Sequence, residues 1–135
     1  TLINTYDNGI KYNIDNFFKI LAPEVLKNPN NVIVYTSDHG QNLLESGQLV
    51  THCSTSKNEA IVPLFLVGGD EIKINPDYKA SHANIFPTLL DLMNVPKELR
   101  KYKYADSLLD LNAKSPEHRY YWGMELTSGE KFPFD

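Results

Sequence analysis

Cysteine is nearly absent: Cys53 is the single one in 135 residues, which excludes an internal disulfide and leaves the redox compartment open. No apolar run approaches the roughly 20 residues that a helix needs to cross a bilayer. The start does not read as a secretory signal peptide, and a first residue other than Met predicts a mature product or an excised piece of a longer chain. Positive charge is also scarce. Thirteen Lys and Arg stand against seventeen Asp and Glu, for a formal net charge of −4 and an isoelectric point near 5.5. The densest basic stretch, Arg100-Lys101-Tyr102-Lys103, reads as a solvated loop, so the sequence predicts no nucleic-acid surface. Repeats and low-complexity segments are missing too.

What is present has the makeup of a folded domain: 41% hydrophobic, 22% charged and 11% aromatic residues. A chain of this size buries roughly two-thirds of its unfolded surface, so one domain without a structural metal is the expectation. Ile10, Ile14, Phe17, Phe18 and Leu21 recur at helical spacing, predicting a helix from about Tyr6 to Leu21 that Pro23 ends. After a turn at Asn28-Pro29-Asn30-Asn31, Val32 to Thr36 is β-branched and aromatic without polar alternation, the signature of a strand covered on both faces. Ile61 to Val67 has the same character, although Pro63 lacks a ladder donor and predicts a late start. Ile85, Phe86, Leu89, Leu90 and Met93 mark a second helix within His82 to Met93, with Ser81 as N-cap and Pro87 tolerated in the first turn. A short strand is expected at Tyr120 to Met124. Helix, strand, long polar loop, strand and helix predict an α/β layered, mostly parallel sheet with flanking helices. Two strands are few for such a sheet, and the remaining ones are expected upstream in a parent protein.

Chemistry concentrates where the first strand ends. Thr36-Ser37-Asp38-His39-Gly40 runs from apolar strand into an adjacent carboxylate and imidazole, at the strand end where open α/β sheets bind ligands. Asp and His are both ligands for Zn²⁺ or Mn²⁺, and Gly40 would let the backbone bend so that they converge. The plain alternative is a turn-capping Asp38 beside a surface His39. His52 and Lys57 follow on a polar loop, and both could donate hydrogen bonds to the oxygens of a phosphate or sulfate ester. Exposed loop residues are the alternative for these two. His82 reads as part of a helix start and His118 as surface.

The ordered set Thr36-Ser37-Asp38-His39-Gly40, His52, Lys57, Val62-Pro63-Leu64 and Ser81-His82-Ala83-Asn84-Ile85-Phe86-Pro87-Thr88-Leu89-Leu90-Asp91-Leu92-Met93 resembles the second half of a sulfatase-like domain. Within the sulfatase and alkaline phosphatase superfamily it looks most like the membrane-anchored phosphoethanolamine transferases of bacteria. The resemblance runs from Tyr6-Asp7-Asn8 to about Met93 and makes the whole chain, 1–135, the C-terminal portion of such a catalytic domain. It implies a metal-dependent transferase acting on a lipid or glycan acceptor, with an extracytoplasmic catalytic domain anchored in the inner membrane. It also implies that Asp38 and His39 are ligands of a divalent metal, Zn²⁺ or Mn²⁺, and that His52 and Lys57 are catalytic. The nucleophilic Thr and the remaining ligands would lie upstream, in a part of the parent chain that acts as partner.

Two other readings compete with transfer. A sulfatase or phosphoester hydrolase of the same superfamily would differ in letting water resolve the intermediate. Cys53-Ser54-Thr55-Ser56-Lys57 lacks the Pro and Arg of the arylsulfatase nucleophile signature, so Cys53 is not expected to be a modified nucleophile. A non-catalytic α/β module binding a protein through Gln41 to Asn58 is the alternative of another class. A phosphate-cradling nucleotide binder is excluded, because Gly68-Gly69 leads into Asp70-Glu71.

Overall fold

The computed structural model describes all residues except 48, 50, 53, 55, 70, 123–130, 134 and 135, so Cys53 and the end of the strand expected at Tyr120 to Met124 lie outside the described residues. The chain divides into two compact units, one built on Thr1–Asp70 and the other on Glu71–Tyr120.

The first unit opens on helix α1, Leu2–Val25. It is longer at both ends than the apolar spacing indicates. Thr1 caps it, accepting from the Asn4 amide at 3.4 Å, and this fixes the start ahead of the first apolar residue of the stripe. Pro23 sits inside the helix rather than after it. It forfeits one amide donor in the last turn, where Leu26 N–H still donates to Ala22 O at 2.9 Å.

Strand β1 (Val32–Thr36) pairs with β2 (Leu64–Gly68) in antiparallel register, Val32 opposite Gly68 and Tyr35 opposite Phe65. The expected parallel neighbours are therefore corrected for these two strands. Parallel pairing needs a crossover that carries the chain back to the same end of the sheet, usually through a helix. Among the described residues between β1 and β2 the helical elements are two short 3₁₀ turns, Glu45–Gly47 and Lys57–Glu59, and the chain re-enters the sheet as β2 antiparallel to β1. β2 begins after Pro63, as the missing donor requires.

One face of this pair is covered by α1. Tyr35 stacks on Phe65 at 4.8 Å between ring centroids, and Phe18 meets them at 5.1 and 5.9 Å. Both strands are half-buried or exposed throughout, not buried on both faces as their composition indicates. Among the described elements only α1 packs on β1 besides its strand partner, which accounts for the difference.

In the second unit a 3₁₀ turn, His82–Asn84, leads into α2, Ile85–Leu92. Ser81 N–H donates to Asn84 Oδ1 at 2.8 Å, and buried Asn84 donates through Nδ2 to Asp106 O at 2.8 Å. Thr88, 1% exposed, donates to Asn84 O at 2.6 Å and accepts from the amide of buried Leu108 at 2.9 Å. Polar side chains thus tie the helix start to the segment after it. Asn94 ends α2 in the left-handed region (φ 53°), with the Asn94 and Val95 amides donating back to Asp91 O and Leu90 O at 2.9 Å each. From Tyr121 the chain belongs to the first unit again, and strands β3 (Tyr120–Trp122) and β4 (Lys131–Pro133) pair in a two-stranded sheet of their own.

Arg100 holds the far end of α2, donating to Asp91 Oδ1 and, at 2.7 Å, to Val95 O. Burial pushes the Asp91 carboxyl up, but hydrogen bonds from Ser107 and Arg100 and the charges of Arg100 and Lys97 outweigh it, and the net shift is downward. A carboxyl lowered in the folded state adds stability above its unfolded value, and that stability is lost as pH falls through the folded value. Asp91→Asn is expected to cost about 1–2 kcal/mol at pH 7 and almost nothing in strong acid, where both chains carry a neutral group. Urea unfolding of both chains at pH 7 and near pH 2 checks this; an equal difference at both pH values would show that the charge does not matter.

Candidate functional site

The end of β1 shapes its own tip through local hydrogen bonds. Ser37 Oγ donates to His39 O at 2.8 Å, and the His39 amide donates to Asp38 Oδ1 at 3.0 Å. The His39 amide, followed by the charge of the His39 ring, holds the Asp38 carboxyl below the usual carboxylate range. That carboxylate is 89% exposed, so it is open to an external ligand.

The imidazole of His39 has a defined polarity. Its Nδ1 lies 2.6 Å from Gly40 O. A carbonyl only accepts, so Nδ1 must carry the proton. In the neutral ring Nε2 then presents its lone pair, the arrangement in which histidine coordinates metals. Nε2 stands 3.9 Å from Asp38 Oδ2.

His52 is brought to this tip by the loop that follows. Thr51 O accepts from the Asn42 amide at 3.0 Å and from Gln41 Nε2 at 2.7 Å, folding the segment after His39 back onto the residue before His52. The two imidazoles lie 6.3 Å apart between centroids, with planes 20° from parallel. His39 and His52 are thus near one another, with Asp38 adjoining His39. Among the described residues, however, no three His, Cys, Asp or Glu side chains form a group that could hold a metal ion.

Lys57, itself exposed, opens the half-buried 3₁₀ turn Lys57–Glu59, and its carbonyl accepts from the amides of Ala60 and Ile61 at 2.9 and 3.2 Å. His82 stands in the turn before α2, and His118 Nε2 lies 3.7 Å from Glu117 Oε1, a placement that fits the non-catalytic readings of both. Gly40 has a different reason from the one its flexibility indicates: a Cβ there would run into the carbonyl oxygens of Asn58 and Ile61. Glu59 was not legible as a site residue. Its carbonyl accepts from the Gly40 amide at 2.7 Å, and its carboxylate accepts from the Ser54 amide at 3.0 Å and from the Ser54 hydroxyl. The Ser-rich run around Ser54 and Ser56 was the available signal, since short hydroxyl side chains partner a nearby carboxylate readily.

The sequence model of one protein family, described as Sulfatase, matches residues 1–95. The chain belongs to the sulfatase family. Arylsulfatase K of Rattus norvegicus is 32% identical over 85 residues, a stretch that covers 62% of this chain and 15% of that protein. The chain thus spans well under two-thirds of the relative it matches, and the family match over residues 1–95 contains its carboxylate–imidazole tip. No solved structure matches it. None of the described helices of this sulfatase-family chain is long and apolar enough to cross a membrane. Family membership supports an α/β fold for the chain.

Proposed function

We propose that these residues supply part of the active-site wall of a metal-dependent enzyme that cleaves phosphate or sulfate esters, the rest of the site coming from a further part of a longer chain. One observation carries the reading. His39 turns Nδ1 to Gly40 O, which leaves Nε2 beside the exposed Asp38 carboxylate at 3.9 Å, with the His52 ring 6.3 Å away between centroids. A carboxylate oxygen and an imidazole nitrogen suit Zn²⁺, and also Mn²⁺, but a catalytic zinc site takes three protein ligands. Asp38 and His39 would hold the ion, which when bound neutralises charge developing on the ester oxygens. His52 would donate to a non-bridging or leaving oxygen, with Lys57 as a further cationic donor on the same loop.

The exposed apolar arc of α1 supports the idea that a further chain segment completes the domain. Ile10, Phe17 and Ile20 are 44%, 53% and 74% exposed beside the stripe that packs on β1. Contiguous apolar surface of this kind marks an interface, and further strands beside β1 and β2 would make the layered sheet.

The acceptor divides two readings. The residue pattern around Asp38 and Ser81 favours transfer to a lipid or glycan hydroxyl, as in phosphoethanolamine transferases, with a membrane-anchored extracytoplasmic setting. The likeness to a protein named arylsulfatase K favours water. A longer chain containing these residues, stripped with chelator and reloaded with Zn²⁺ or Mn²⁺, is expected to regain turnover of p-nitrophenyl phosphate or sulfate. Product appearing on an added acceptor lipid assigns transfer, and free acid alone assigns hydrolysis. Full activity without metal would end the proposal. The 135-residue chain alone is expected to bind Zn²⁺ weakly in calorimetry and to turn over neither ester.

A further inference from the structure

We infer that Glu59 is the positioning residue that sets the spacing between His39 and His52, an inference that rests on the reading of those two imidazoles as one site. Its two ends act on different sides of that site. The backbone carbonyl of Glu59 accepts from the Gly40 amide at 2.7 Å, directly after His39. The carboxylate grips Ser54, two residues after His52, through the amide at 3.0 Å and through the hydroxyl.

Ser54 Oγ in turn accepts from the Ser56 amide at 3.1 Å, and Ser56 O accepts from the Glu59 amide at 3.1 Å. The link is therefore a closed ring rather than a single contact. Thr51 O already holds the other side of His52, through Asn42 and Gln41. A clasp on one side of His52 alone leaves its backbone free to swing. Clasps on both sides, one of them charge-assisted, fix the direction in which the ring leaves the chain. Glu59 acts through the loop, by its contacts with Ser54 and with the Gly40 amide.

The test is magnetisation transfer between the ring protons of His39 and His52 in the 135-residue chain, read without metal or substrate. The contact between the rings of Phe18 and Tyr35 serves as an internal measure of folding. The wild type is expected to show both cross-peaks. Glu59→Ala should lose the His39–His52 peak and keep the Phe18–Tyr35 peak, while Glu59→Gln, which retains an acceptor oxygen and adds a donor for Ser54, should restore it. A His39–His52 peak of wild-type intensity in Glu59→Ala would overturn the inference. So would a glutamine variant that behaves like alanine, because the effect would then come from the lost charge and not from the hydrogen-bonded grip on Ser54. Should Glu59→Ala lose both peaks, Ser54→Ala decides: loss of the histidine peak alone supports the inference, and its retention defeats it. In a longer chain with activity, Glu59→Ala is expected to lower kcat by about 10- to 100-fold with KM little changed, the usual size for residues supporting a first shell; an unchanged kcat would count against it. Absence of metal binding or turnover in every variant would sink the functional reading above and leave the ring-contact result standing by itself.

Discussion

Replacing Asp38 with alanine in a longer, active chain is expected to lower kcat/KM for a phosphate- or sulfate-ester substrate by on the order of 10³-fold or more. Losing an outer partner of a metal ligand costs about 10- to 100-fold, and losing a ligand itself should cost more. The fold should not suffer. The Asp38 side chain is 89% exposed, and its intramolecular partners include the His39 amide, the Ser37 hydroxyl and, at 3.9 Å, the His39 ring, all of which water can satisfy. The variant should thus keep its unfolding midpoint while losing bound metal and rate together. Metal content after dialysis, measured beside steady-state kinetics, separates the cases. Activity within about two-fold of the parent would remove Asp38 from the ligand set and leave it as the cap of its own turn.

Gly40→Ala is expected to be the most damaging small substitution for the first unit, at about 2–4 kcal/mol. The added methyl would enter space held by Asn58 O and Ile61 O, and backbone carbonyls do not give way as a flexible side-chain end would. Relief requires the turn at Lys57–Glu59 to move away from the β1 tip, which breaks the Gly40 to Glu59 hydrogen bond and opens the His39–His52 spacing. Stability and site geometry should therefore fail together, unlike in Asp38→Ala. Gly9→Ala is the matching control. Gly9 lies within α1 with nothing near its added Cβ, so alanine there should stabilise the helix by about 0.5–1 kcal/mol. Urea midpoints of the two variants should move in opposite directions, and a neutral Gly40→Ala would mean that the turn does not pack against the strand tip in solution.

Local pattern determined a good deal of this chain. Apolar spacing located both helices, β-branched runs located β1 and β2, and Pro63 fixed the late start of β2, because each depends on residues close in sequence. The same holds for the Asp38-His39 pair at a strand end, where a run of apolar residues breaks into a carboxylate and an imidazole. Other features followed from through-space contact. The antiparallel direction of β2 depends on how residues 37–63 fold back, and no periodicity within either strand records that. Thr1 extended α1 beyond its apolar stripe through a single cap. The proton position on His39 follows from one contact with Gly40 O. Gly40 and Glu59 gained their roles only when the 57–61 turn was laid against the β1 tip, because a close approach and a carboxylate grip exist between segments and leave no spacing signal within one.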